Sequence, residues 1–259
     1  MDCRITPEVV DALAGMPELT LTPSGANEDY YNPPHDVYKH FNFLDLHGAY
    51  SDAALFLNYL LSKMNASPKR LLDFGCGWGR MLRLLSKSDC LTSELCGCDI
   101  DKQGVEFIRR TVPGAKLAHH STPPPLPYPD ANFDFIYAFS VFSHLPAKVH
   151  LVWAQELRRI SEPGATVCVT TQGLKFLKWL AKNPDEALPR RLPLFTTNEA
   201  VERYEAGEFL YECDTPNMPD YGHAVVPRSF FEEHWQPLGF EIIDWDESRS
   251  QVRCLMKVE

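Results

Sequence analysis

Long apolar runs, clusters of basic residues and closely paired cysteines are all scarce in this 259-residue sequence, and each scarcity removes a class of function. No segment approaches the roughly 18 consecutive apolar residues that cross a bilayer. The first residues, MDCRITPEVV, lack the basic region and apolar stretch of a secretory leader, so the chain reads as cytoplasmic with no membrane partner. Acidic side chains outnumber basic ones, 35 to 25, for a formal charge of -10. With no run of Lys or Arg to track phosphates, nucleic acid is an unlikely partner by charge, and a small-molecule acceptor is favoured. No C-x-x-C spacing occurs, and Cys90, Cys96, Cys98, His119 and His120 fall at different strand positions, so no metal is expected. Cys76, Cys96, Cys98 and Cys168 lie in or beside apolar segments, where a thiol behaves as a small hydrophobe, and reduced cysteines are the expectation. No Gly-Lys-Ser or Gly-Lys-Thr follows a glycine turn, which excludes a nucleotide-phosphate loop.

What is present is an alternation, from Lys69 to Gly173, of short apolar runs with longer amphipathic ones, the mark of βα units around a parallel sheet. Strands are expected at Arg70 to Phe74, Glu94 to Cys98, Ala115 to Ala118, Phe133 to Phe139 and Ala165 to Thr171. Helices follow the glycine turn, Asp101 and Ala147, and the last of them runs to Ile160. The fourth strand is aromatic and continuous, as a strand covered on both faces should be. From Gly173 to Pro227 the regularity breaks into two helices, Leu174 to Lys182 and Asn198 to Ala206, set among aromatic and proline residues. A helix at Ser229 to Trp235 and two strands, Phe240 to Trp245 and Gln251 to Val258, close the chain, and strands so near each other pair antiparallel. Before the first strand a helix is expected around Asp52 to Lys63, preceded by a loop with Tyr30, Tyr31, Pro33 and Pro34.

The chemistry concentrates in Leu71-Leu72-Asp73-Phe74-Gly75-Cys76-Gly77-Trp78-Gly79-Arg80, where a strand becomes a helix through glycines that let a ligand approach the backbone. A dinucleotide fold would use G-x-G-x-x-G; this turn reads G-x-G-x-G and carries Asp73 two residues ahead of it. A carboxylate there repels a pyrophosphate but suits a ligand bearing an ammonium and a sulfonium. Asp99, ending the second strand about twenty residues on, can accept both hydroxyls of a ribose.

These residues resemble the class I S-adenosylmethionine-dependent methyltransferases, of the type 11 and type 25 kind. The likeness is specific at Leu71 to Arg80 and again at Leu126-Pro127-Tyr128-Pro129-Asp130 with Phe133-Asp134-Phe135-Ile136-Tyr137, which is similar to the family's L-P-F-x-D and F-D-x-[VI] entry into its fourth strand. The resemblance implies an α/β, Rossmann-like fold: a mostly parallel seven-stranded sheet with an antiparallel last strand and helices on both faces. It further implies an extension over residues 1–66, a methyltransferase domain over 67–259 and a lid insertion at about 173–227. S-adenosylmethionine would be the cofactor and S-adenosylhomocysteine the product. Asp73, Gly75 and Gly77 would hold the methionine end, Asp99 the ribose and Ile100 the adenine, with Phe74, Cys76 and Arg80 also at the cofactor and Phe139 and Ser140 lining the site. Where many members carry an acid after the third strand to meet the adenine amino group, this chain has Ser121-Thr122-Pro123, so Ser121 and Thr122 would supply backbone or hydroxyl contacts. Tyr221-Gly222-His223 before a helix and a closing strand pair also looks like bacterial enzymes of sugar or natural-product tailoring.

Methyl transfer is an in-line displacement that depends chiefly on holding donor and acceptor together. A hydroxyl acceptor needs a base, and His144, just past the fourth strand, is the first candidate, with His223 the second. Equally, His144 suits a helix cap or packing beside Trp153. Trp179, Phe195, Tyr204, Phe209, Tyr211 and Tyr221 suit either an acceptor pocket or a satellite core. Arg80 is expected to pair with an acid near the glycine turn, or to touch a substrate carboxylate. The expected activity is O-methylation of a small or sugar-containing metabolite by a monomer or homodimer. N-methylation, a non-catalytic adaptor of the same fold and, more remotely, a NAD-type oxidoreductase are the alternatives.

Overall fold

The computed structural model describes residues 4–15, 46–91, 93–121, 123–186, 192–213 and 220–259, in two compact units that meet in sequence at His120 and Ser121. The tyrosine and proline loop expected at 30–34, and Thr122, lie outside the described residues.

The first unit begins with helix α1, Pro7–Ala14, entered through Thr6 and a proline whose fixed φ suits the first turn. Helix α2, Leu46–Lys63, starts earlier than the sequence suggested and buries Tyr50, Ala53, Ala54, Leu57, Leu60 and Leu61, the three-and-four spacing of one face. Asn58 on α2 ties down the N-terminal segment, accepting from the Ile5 N–H at 2.7 Å and donating to the Ile5 carbonyl at 3.0 Å. Three parallel strands follow, β1 (Arg70–Phe74), β2 (Glu94–Asp99) and β3 (Lys116–His119), in the spatial order β3, β2, β1. Helices α3 (Arg80–Lys87) and α4 (Lys102–Thr111) are their crossovers. Asp101 caps α4 by accepting from the Gln103 N–H at 2.9 Å. Leu82, Ile108, Val112 and Cys76 form one buried cluster of this unit.

In the second unit β4 (Phe133–Ala138) runs parallel to β5 (Ser161–Gln172), with α5 (Ala147–Ile160) between them in sequence. Strand β5 is longer than expected because it begins at Ser161, and Pro163 and Gly164 form a bulge within it: Phe133 pairs with Ser161, Phe135 already with Thr166. The other edge of β5 takes β9 (Gln251–Val258) antiparallel, and β9 pairs antiparallel with β8 (Phe240–Asp246). After α6 (Leu174–Lys182) and α7 (Asn198–Glu205) comes a short antiparallel pair, β6 (Leu210–Glu212) and β7 (His223–Val225), that periodicity did not reveal. Helix α8, Arg228–His234, precedes β8. Leu177, Leu180, Leu192, Phe195, Ala200, Tyr204, Leu210 and Val225 make a satellite core among these last elements.

The fold is thus mixed α/β, mostly parallel, with antiparallel closing strands. Among the described residues no helix is long and apolar enough to cross a membrane, and no three His, Cys, Asp or Glu residues are grouped to hold a metal ion. Among the described residues six cysteines are free thiols, and burial pushes the pKa of Cys96 up to about 11. Cys90 is in a disulfide, which corrects the expectation of uniformly reduced cysteines at that position.

Candidate functional site

In the first unit the end of β1 unwinds through Gly75, Gly77 and Gly79, whose φ values are 76°, 53° and 83°. Neighbouring β2 catches the turn: the Gly75 and Cys76 N–H groups both donate to the Cys98 carbonyl, at 2.9 and 3.1 Å. Gly79 is needed twice over, since its backbone is left-handed and a Cβ there would lie 2.7 Å from Ile108 of α4. Around Gly77, by contrast, a Cβ would meet nothing within 4 Å, so the turn is open on that side.

Asp99 closes the turn. Its Oδ2 accepts from the Gly77 N–H at 2.7 Å and its Oδ1 from the Asp101 N–H at 2.8 Å. Each oxygen keeps a further lone pair, so the carboxylate is fixed and still able to receive two hydroxyls. Burial pushes its pKa above the ordinary carboxylate value, against the pull of the two N–H groups. Ile100 beside it is 50% exposed, an apolar side chain presented to solvent rather than to the core. His120 stacks on Phe74, ring centroids 6.0 Å apart.

Asp73 is only 2% exposed. Half-buried Arg80 faces it and Asp52, and burial draws the guanidinium below its usual range while the two carboxylates work against that. Among the described residues, Asp73 and Asp52 are the two acids set against Arg80 here, a polarity that suits a cationic ligand. An open cradle, a pre-set diol acceptor, an exposed apolar platform and a negative corner together fit a nucleoside bearing a positive charge.

In the second unit, Ser140 follows β4 with φ 60°, a left-handed backbone at a residue with a side chain. Its N–H donates to Thr170 Oγ1 at 2.7 Å, Thr170 donates to Gln251 Oε1 at 2.6 Å, and Gln251 Nε2 donates back to Ser140 Oγ at 2.9 Å. Phe139 before it is half-buried and Ser121 is exposed.

His144 is 4% exposed and does not cap α5, whose first turn is entered from Pro146 without a side-chain bond. Its Nδ1 lies 2.7 Å from the Gly222 carbonyl. A carbonyl only accepts, so the proton sits on Nδ1 and the basic lone pair on Nε2. The Gly222 N–H in turn donates to the His144 carbonyl at 2.9 Å. Tyr221 stacks on the His144 ring at 4.9 Å and 9°, and His223 meets it edge-on at 5.4 Å. Glu212 is the cross-strand partner of His223, and its carboxylate accepts the Leu194 and Phe195 N–H groups at 2.9 and 3.2 Å. Burial raises the pKa of Glu212, partly offset by those donors and by His223.

Sequence reasoning named both histidines, and Gly222 only as part of the Tyr221-Gly222-His223 motif; it did not reveal that Gly222 clamps the first of them. The signal was the residue itself: a Cβ at 222 would collide with the Glu212 carbonyl and lie 2.8 Å from the Tyr211 hydroxyl, so only glycine fits. Of the aromatic residues left open, Phe195 and Tyr204 belong to the satellite core, Trp179 is 43% exposed, and Tyr221 lies against His144. Phe209 packs on His150, a buried histidine that sequence reasoning did not single out.

The Leu126 to Asp130 motif is pinned by α5. Glu156, 6% exposed, accepts from the Leu126 N–H at 2.6 Å and takes both Arg159 Nη2 and Nε, at 2.6 and 2.9 Å. Arg159 also donates to the Tyr128 carbonyl at 2.9 Å and to Asp130 at 2.6 Å.

Comparison with known proteins gives one consistent answer. A family model described as a methyltransferase domain matches residues 45–244. A 27-O-demethylrifamycin SV methyltransferase of Amycolatopsis mediterranei (strain S699) is 28% identical over 106 residues, 39% of this chain and 37% of its own length. A probable chloroplastic tocopherol O-methyltransferase of Oryza sativa subsp. japonica is 23% identical over 157 residues, 60% of this chain and 38% of its own. The matched stretches therefore span under two fifths of these curated relatives. Among solved structures, a SAM-dependent methyltransferase from Methanosarcina mazei aligns with a TM-score of 0.53 and 16% identity, covering 77% of this chain and 96% of that one.

Proposed function

This chain belongs to the class I S-adenosylmethionine-dependent methyltransferase family, with S-adenosylmethionine as its cofactor, and from that premise we propose that it O-methylates a small polar metabolite with His144 as the general base. The observation that carries the base assignment is the 2.7 Å bond from His144 Nδ1 to the Gly222 carbonyl, which leaves Nε2 as the proton acceptor. When bound, the cofactor supplies an electrophilic methyl group on a sulfonium and leaves as a neutral thioether.

The chain's own residues do the rest. Asp99 and the glycine turn hold the nucleoside, and the negative corner of Asp73, Asp52 and Arg80 favours the cationic end. Ser121, Thr122, Phe139 and Ser140 are further candidates for the cofactor in this reading, and residues 173–227 the candidate lid insertion. His144 Nε2 takes the proton of the acceptor hydroxyl as its oxygen bonds to the methyl carbon. Tyr221 on the ring face and Gly222 on Nδ1 keep the imidazole aimed, and His223 with Glu212 beside it favours the imidazolium that forms.

A small oxygen nucleophile is supported by the names of the two relatives, both of which act on small molecules and one of which is an O-methyltransferase. It is supported as well by the net charge of -10, which disfavours polyanionic acceptors. The test is methyl transfer from labelled S-adenosylmethionine to a panel of sugars, phenols and amines, run with wild type and His144→Ala. The reading expects label in a hydroxyl-bearing acceptor, and in His144→Ala normal S-adenosylhomocysteine binding with turnover down about 100-fold or more. Label in amines alone, or a His144→Ala variant that turns over at the wild-type rate, contradicts it.

A further inference from the structure

Arg83 is a cation in an apolar position. It lies on α3 among Met81, Leu82, Leu84 and Leu85, and it is 3% exposed. A guanidinium buried that deeply must be matched by hydrogen bonds and polarisable surfaces. Nη2 donates to the Trp78 carbonyl at 2.9 Å and Nη1 to Thr111 Oγ1 at 2.6 Å. Thr111 spends its own proton on the Phe107 carbonyl at 2.8 Å, so towards Arg83 it offers only lone pairs and the direction of the chain of bonds is fixed. The guanidinium carbon stands 4.6 Å from the Phe107 ring centroid and 5.9 Å from that of Trp78.

The carbonyl it grips belongs to the residue between Gly77 and Gly79, both left-handed glycines, where the backbone is permissive. That stretch has to hold one course if the Gly77 N–H is to meet Asp99 and the cradle is to stay open. Its own sequence provides little stiffness. Tyr50 packs edge-on against the Trp78 indole at 5.3 Å, Ile108 lies behind Gly79, and Arg83, anchored to Thr111 of α4, bonds the Trp78 carbonyl.

We propose that Arg83 is a positioning residue for the cofactor loop, bracing Trp78 from behind so that the glycine turn is pre-organised for S-adenosylmethionine, without touching the ligand. The inference rests on the cofactor assignment but not on the identity of the acceptor or the base.

The experiment is calorimetric titration of full-length wild type, Arg83→Met and Arg83→Lys with S-adenosylhomocysteine, each below its own melting temperature, with melting curves alongside. Arg83→Met is expected to weaken binding about tenfold or more, the size of one hydrogen bond to a charged group. Arg83→Lys should fall between, since lysine keeps a donor for Trp78 but loses the fork and the planar stacking. A lower melting temperature with wild-type affinity makes Arg83 a core residue only, and overturns the proposal. So does Arg83→Lys binding no better than Arg83→Met. Should Arg83→Met fail to fold, Thr111→Val removes the other anchor and carries the same expectation at smaller size; unchanged affinity there also overturns it. If wild type takes up no S-adenosylhomocysteine, the cofactor assignment itself falls and the brace loses its purpose, an outcome distinct from failure of the variants alone.

Discussion

At the scale of single residues, the candidate cofactor and base residues are groups whose freedom has been removed. Asp99 is held by two N–H donors and His144 by one carbonyl, so each presents a defined face. Asp99→Ala removes both the diol acceptor and the partner of Gly77, and is expected to abolish S-adenosylhomocysteine binding in a thermal-shift assay, where wild type gains melting temperature. His150 shows the same restraint in a structural role. It is fully buried among Phe142, Phe209, Phe230 and Phe231, accepts from Trp235 Nε1 at 3.2 Å, and burial draws its pKa down to about 3 from 6.5. Because the folded value lies below the unfolded one, the unfolded chain binds the extra proton. His150's contribution is therefore complete above pH 6.5 and is lost progressively as pH falls towards 3. Between pH 6.5 and 5 the loss is about 2 kcal/mol, read as a falling urea midpoint; His150→Leu should be less stable at pH 7 but show a shallower slope. The glycine turn, Asp73 and Asp99 were legible because they are neighbours in sequence or separated by one βα unit. The pairing of His144 with Gly222 was not, because they stand 78 positions apart and no local pattern encodes so distant a contact.

At the scale of elements the strands and helices follow the periodicity closely, and the departures have local causes. Strand β1 and helices α5 and α6 occupy the expected residues, each flanked by strong breakers or caps. Strand β5 begins four residues early because a proline and a glycine, read as a turn, are absorbed into a bulge. Strands β6 and β7 have three residues each, too few for an alternation to stand out, and they form because each satisfies the other's backbone. The Leu126 to Asp130 motif was visible as a family pattern, yet its partner was not: Arg159 and Glu156 hold its carbonyls and its Leu126 N–H. Arg159→Met leaves the nearly buried Glu156 without its fork. It should cost about 2 kcal/mol or more in a denaturant titration, while Arg109→Met, an exposed pair with Glu106, costs under about 1 kcal/mol.

At the scale of the whole molecule, composition bounded the answer and the order of motifs decided it. An acidic chain with a strand, a glycine turn and two well-spaced carboxylates has few consistent readings, and the family model over residues 45–244 agrees with the one those residues favoured. The acceptor was less legible, because the side chains around the proposed base, Tyr221 and His223, meet His144 only after folding. Gly222→Ala tests that dependence, since the added methyl must displace the β6 backbone: it should lower turnover far more than it lowers S-adenosylhomocysteine affinity. The most direct measurement for the account is calorimetric titration of the intact chain with S-adenosylmethionine and, separately, with NAD. Saturable uptake of S-adenosylmethionine with one site per chain, lost in Asp99→Ala, and no heat with NAD is the result the account predicts. No uptake of S-adenosylmethionine by folded protein at millimolar concentration, or uptake of NAD in its place, contradicts it.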